Sequence, residues 1–129
     1  MPTYEADSFL PPAPVARVTL RNPQTQQTVS DIPLLLDSGA DVTIIPQSTI
    51  SQLGIAIDSA DVYKLQSFDQ HISTVHSVNL ELLFLNRTFR GRFLVFDQDR
   101  GILGRDVLNH VSIILDGPSL SWREATRGK

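Results

Sequence analysis

The chain has no cysteine among its 129 residues. Disulfide frameworks, thiolate metal sites and cysteine nucleophiles are therefore excluded together. Histidine is scarce: only His71, His76 and His110 are present. His71 and His76 fall in a strand-like stretch at a spacing that turns them to opposite faces, so no zinc site is expected from them. There is no basic surplus. The net charge is −3, which argues against a nucleic-acid partner. No apolar run approaches the length of a membrane span, so membrane insertion is not expected. The opening Met1-Pro2-Thr3-Tyr4-Glu5-Ala6-Asp7 carries acids and no apolar core, unlike a signal peptide. A soluble, cytoplasmic protein is the resulting expectation. Glycine is also unevenly placed, with none between Gly54 and Gly91.

What is present is ordinary for one globular domain: 41% hydrophobic and 19% charged residues. Residues 1–14 are rich in proline and lack periodicity, and read as an extended arm. Short strands are expected over 15–20, 28–36, 42–45, 62–65, 72–85, 88–96 and 102–104, with a closing hairpin from 111–115 and 120–122. Pro33 points to an edge or a bulge in the second of these. Asn86-Arg87 is a candidate hairpin turn. Pro46 to Gly54 reads as a short helix, with proline at its first position and glycine at its end, and 105–110 fits one or two further turns. Many short strands with one or two short helices indicate an all-β fold, either a small barrel or a sandwich. The domain is placed at 15–123, with 124–129 as a tail.

One stretch suggests chemistry. The apolar Leu34-Leu35-Leu36 runs into Asp37-Ser38-Gly39-Ala40 and then Asp41-Val42. A carboxylate at the end of a buried-looking strand is costly unless something requires it there. Peptide hydrolysis by carboxylates uses two of them sharing one proton. This chain offers one credible candidate, and a two-fold homodimer would bring two copies of it together.

The Asp37-Ser38-Gly39-Ala40-Asp41 loop resembles the active-site loop of retropepsins, the retroviral-type aspartic proteases. A second motif, Ile102-Leu103-Gly104-Arg105-Asp106, resembles the element that packs beneath that loop in the same family. The resemblance implies a closed retropepsin-like β-barrel (the acid protease fold), active as a homodimer on a peptide or protein substrate, without metal or cofactor. It makes Asp37 the catalytic residue and Ser38 the residue that ties the two subunits' loops together. Gly39 lets substrate backbone approach, with Ala40 beside it. It gives Asp41 a substrate-binding role and an ion pair with Arg105, with Gly104 and Arg105 as structural support. Val42 and Ile102 would line the cleft; Leu35 and Ile44 either line it or pack the core. The cover of the site would fall at Phe68, Asp69, Gln70 and His71, where the family usually has glycine and this chain has none. Ala40 offers no hydroxyl to the carboxylates, which points to activity at mildly rather than strongly acidic pH. Arg100 stands where the family often has an apolar pocket residue, and could favour acidic or polar side chains or face solvent. The closing hairpin resembles that of cellular members more than viral ones. It leaves Trp122 as either an interface anchor or a cap on its own core. The alternative function is a non-catalytic module of the same fold that dimerises or binds peptides by strand addition.

Overall fold

The computed structural model describes residues 2–57, 62–66 and 72–125. Ten strands and two short helices follow one another in it: β1 (Tyr4–Glu5), β2 (Ala13–Arg21), β3 (Thr28–Leu36), β4 (Ile44–Pro46), α1 (Gln47–Gln52), β5 (Val62–Gln66), β6 (Ile72–Phe84), β7 (Arg87–Phe96), β8 (Gly101–Leu103), α2 (Arg105–Leu108), β9 (Ile113–Asp116) and β10 (Ser121–Glu124). The main sheet runs β1-β2-β3-β8-β4-β7-β6-β5, and an additional pairing of β2 with β6 closes six of these strands into a barrel. Closure gives each of these six strands a neighbour on both sides, and leaves β1 and β5 as the outer strands. β9 and β10 form a separate two-stranded sheet.

Period-2 alternation builds the core. Along β6, Val78, Leu80, Leu82 and Phe84 are all buried, and they meet Leu20, Leu34, Ile45, Val95 and Leu103 from the other strands. The pairing registers also place one charge cluster. Glu81 lies opposite Arg21 on β2 and Arg90 on β7. Its carboxylate accepts from Arg21 Nε at 2.6 Å and from Arg90 Nε at 2.5 Å. These bonds, Arg21's first, hold the Glu81 carboxyl below its ordinary value.

Several local features refine the sequence expectation, and some differ from it. The N-terminal arm is not free: β1 pairs with β2, Thr3 bridges Ser121, and Tyr4 N–H donates to the Leu120 carbonyl at 3.0 Å. β2 itself begins at Ala13, inside the stretch assigned to the arm. The irregularity near Pro33 is a bulge just before it, where the register with β2 shifts and Asp31 takes φ 64°. The β6–β7 turn is Leu85-Asn86, both at positive φ, rather than Asn86-Arg87. Pro46 lies one position outside α1, as its N-cap, while Gly54, at φ 68°, closes the helix as expected. Trp122 is a core residue, 2% exposed. Its Nε1 donates to the Val15 carbonyl at 2.9 Å, and its ring lies 5.8 Å from that of Phe84. The structure thus favours the core cap over the interface anchor.

Candidate active site

The loop that carries Asp37 leaves the end of β3. β3 and β8 run parallel, pairing Leu34 with Gly101, Leu35 with Ile102 and Leu36 with Leu103. The ladder continues one step past the strand, since Asp37 N–H donates to the Leu103 carbonyl at 3.1 Å. The chain then turns: Ala40 N–H donates back to the Asp37 carbonyl at 3.1 Å, and Gly39 N–H donates to Asp37 Oδ1 at 3.0 Å. Asp37 is half-buried, with its carboxylate oriented by its own turn. A β-carbon on Gly39 would stand 3.2 Å from that carboxylate oxygen, so a side chain there would crowd it.

The second motif braces the loop from below. Arg105 N–H donates to the Ala40 carbonyl at 2.9 Å. The Arg105 guanidinium donates through Nη1 to the Ser38 carbonyl at 2.8 Å and through Nη2 to Asp41 Oδ1. The ion pair expected from the sequence therefore forms. Both side chains are open to water, however, with Asp41 81% and Arg105 42% exposed. Such a pair stabilises by only about 0–1 kcal/mol. Its contribution within the chain is to fix the position of the Ser38–Asp41 turn.

Gly104 is needed at the crossing of the two motifs. A β-carbon there would come within 2.5 Å of the Val42 carbonyl oxygen. Beside it lies a polar group that the sequence reading did not single out. Thr43 is fully buried, its Oγ1 donates to Asp106 Oδ1 at 2.7 Å, and it accepts from Gly104 N–H at 3.0 Å. Asp106 Oδ2 also accepts from Thr43 N–H at 3.0 Å. Thr43 was hidden because it sits inside the apolar run Val42-Thr43-Ile44-Ile45, which reads as plain core.

Around Asp37 the apolar residues stay partly open. Leu35, Ile44 and Ile102 are half-buried, and Val42 is 37% exposed. Leu35 pairs with Ile102, which in turn pairs with Ile44, so these three form one contiguous floor. This favours cleft over core for Leu35 and Ile44. Phe68, Asp69, Gln70 and His71 lie outside the described residues; β5 and β6 are paired up to Gln66 and Ile72 on either side of them. Among the described residues, no group of three or more His, Asp or Glu could hold a metal ion, and no helix is long and apolar enough to cross a membrane.

A closed barrel whose β3 ends in a braced Asp-Ser-Gly turn defines a class, and comparison with known proteins agrees. The family model described as "Aspartyl protease" matches residues 16–107. The chain belongs to the aspartyl protease family, on the retropepsin-like fold. Among solved structures, the chain is similar to a retropepsin-like aspartic protease from Rickettsia conorii, with a TM-score of 0.57 and 15% identity over 89% of this chain and 82% of that one. It is also similar to EIAV protease complexed with the inhibitor HBY-793, with a TM-score of 0.53 and 22% identity over 76% of this chain and 86% of that one. No curated protein sequence matches the chain.

Proposed function

We propose that the protein is an aspartic endopeptidase that acts as a homodimer, each subunit supplying one Asp37 to a shared-proton pair. The observation that carries this reading is the Asp37 turn itself. Its carboxylate is half-buried, oriented by the Gly39 amide and left open on a face floored by Leu35, Ile44 and Ile102. A braced acid on an open apolar face suits chemistry on an extended peptide better than it suits packing. Among the described residues one such acid is present, so in this reading the second comes from a second copy.

In this mechanism one Asp37 is ionised and takes a proton from a water held between the two carboxyls. The other is protonated and donates to the substrate carbonyl oxygen as the water attacks. Collapse of the tetrahedral intermediate passes a proton to the leaving amine. No metal or organic cofactor takes part. Ser38 would link the two loops across the dimer axis, and the Gly39 carbonyl and Asp41 would bind substrate main chain. Val42 and Ile102 would contact substrate side chains, while Phe68, Asp69, Gln70 and His71 would cover them and exclude water. Arg105 and Gly104 hold the loop in place beneath.

The test uses a peptide library, offered to the wild-type protein and to Asp37→Ala between about pH 4 and 7, the range that brackets a coupled carboxyl pair. Cleavage by the wild type and none by the variant is the expected result. A wild-type protein that dimerises yet cuts nothing would instead be a peptide-binding module, and a stable monomer would exclude the shared pair.

A further inference from the structure

A cavity of about 260 Å³ adjoins the Asp37 face. Its walls include Leu35 and Pro33 from β3, Arg100 and Gly101 at the start of β8, and Phe9 from the N-terminal arm. Leu34 is wholly buried in the core, so its neighbours Pro33 and Leu35 lie on the opposite face of β3, the face that also carries Asp37. At the rise of a strand, Leu35 stands about 7 Å before Asp37. The cavity therefore lies on the same side of β3 as Asp37, with Leu35 as the wall nearest to it in the chain.

Phe9 gives the cavity its character. It is half-buried, although Leu10 beside it is 96% exposed. Its ring lies under the Arg100 guanidinium, 4.6 Å from centroid to Cζ. A cation held over a ring in this way engages the ring's electron-rich face through its charge, while a guanidinium carries five N–H donors for other acceptors. Arg100 has no hydrogen bond or ion pair among the described residues. The cavity's other charged groups are Glu5 and Asp99. Glu5 accepts from Arg17 at 3.0 Å and is engaged there. Asp99 stands next to Arg100 in the chain and is exposed.

We propose that Phe9 and Arg100 together form a specificity pocket for an acidic substrate side chain, with the N-terminal arm serving as one wall of the cleft. This rests on the proteolytic reading above. The planar fork of Arg100 fits a carboxylate with two parallel hydrogen bonds. Leu35, Val15 and Pro33 supply apolar surface for the methylene stem of a glutamate. Phe9 is a positioning residue, because it acts on substrate by holding the Arg100 guanidinium over its ring. Asp99 places a like charge at the same cavity as the incoming carboxylate, so its removal should strengthen the selection.

The experiment has a binding arm and a cleavage arm. Peptides that differ only by Glu, Gln, Leu or Lys at one position are bound to the full-length Asp37→Asn protein, which leaves them intact. The glutamyl peptide should bind about tenfold more tightly than its glutamine twin, as a charge-assisted hydrogen bond implies. Arg100→Met should abolish the difference, Phe9→Ala should shrink it and Phe9→Tyr should keep it. Asp99→Asn should widen it. Equal binding of Glu and Gln, a preference for Lys, no binding of any member, or an unchanged difference in Phe9→Ala would each overturn the proposal. Wild-type cleavage without a Glu preference defeats the pocket alone. Glutamyl-selective binding without cleavage defeats the proteolytic reading alone.

Discussion

Thr43 and Asp106 are joined twice, hydroxyl to Oδ1 at 2.7 Å and backbone N–H to Oδ2 at 3.0 Å. The same Thr43 oxygen accepts from Gly104 N–H, so one buried hydroxyl connects the strand after the Asp37 loop to both ends of the Gly104-Arg105-Asp106 segment. Two backbone bonds complete the link between the motifs, Asp37 N–H to the Leu103 carbonyl and Arg105 N–H to the Ala40 carbonyl, while Ala40 N–H to the Asp37 carbonyl closes the turn itself. These bonds, of which the one from Gly104 N–H to Thr43 is buried, hold the Asp37 turn and the residues after it against the second motif in addition to the exposed ion pair.

Replacing Thr43 by valine keeps the volume and removes the hydroxyl. Gly104 N–H then loses its acceptor in a buried position, and Asp106 loses its shortest hydrogen bond. Leaving the buried Gly104 N–H unsatisfied costs about 1–3 kcal/mol. Chemical denaturation of Thr43→Val should show a loss of that size. Arg105→Gln, at an exposed pair, should lose less than Thr43→Val does. The reverse order would mean that the ion pair, and not the buried hydroxyl, holds the loop.

Gly104→Ala should be costly for a different reason. The added carbon meets backbone, the Val42 carbonyl, and cannot be accommodated by turning a side chain. Overpacking of this kind costs about 1–3 kcal/mol or more. It should shift the Asp37 turn as well, so a drop in activity beyond the fraction unfolded is expected. Gly117 offers the control, because nothing lies within 4 Å of a carbon added there. Thermal melts of Gly104→Ala and Gly117→Ala should differ clearly, and equal melts would contradict the account.

Glu81 sets part of the acid stability. Arg21 and Arg90 lower its carboxyl in the folded chain. A group lowered in this way contributes stability that is complete above the unfolded carboxylate value, about 4.3. That contribution is lost as pH falls through the folded value. Stability curves should therefore decline below about pH 4 in the wild type and lose part of that slope in Glu81→Gln. The variant should be less stable at neutral pH, where Arg21 has lost its partner. Parallel curves for the two proteins would remove Glu81 from the acid response.

The sequence made the barrel and the acid legible for physical reasons that did not extend everywhere. Val78, Leu80, Leu82 and Phe84 announce β6 because a strand repeats every second residue and all four are buried. Asp37 stands out because a charge after Leu34-Leu35-Leu36 has no packing rationale. Thr43 did not stand out, since one hydroxyl among branched apolar residues resembles core. The contact of Phe9 with Arg100 was beyond reach, because it depends on where the arm returns over the barrel and not on any local pattern. The turn at Leu85-Asn86 was displaced by one residue because leucine at positive φ is rare enough that sequence preference points elsewhere. Trp122 was ambiguous because a large aromatic with one N–H suits an interface and a core equally, and only the Val15 carbonyl decides it.

The central claim is that each active site is built from two copies of Asp37. It is tested most directly by co-refolding wild-type protein with increasing fractions of Asp37→Asn at constant total concentration and measuring the initial rate on one cleaved peptide. If both carboxyls are required, the rate falls as the square of the wild-type fraction, because only wild-type pairs are active. A rate that falls in direct proportion to the wild-type fraction would mean that each chain works alone, and would contradict the account.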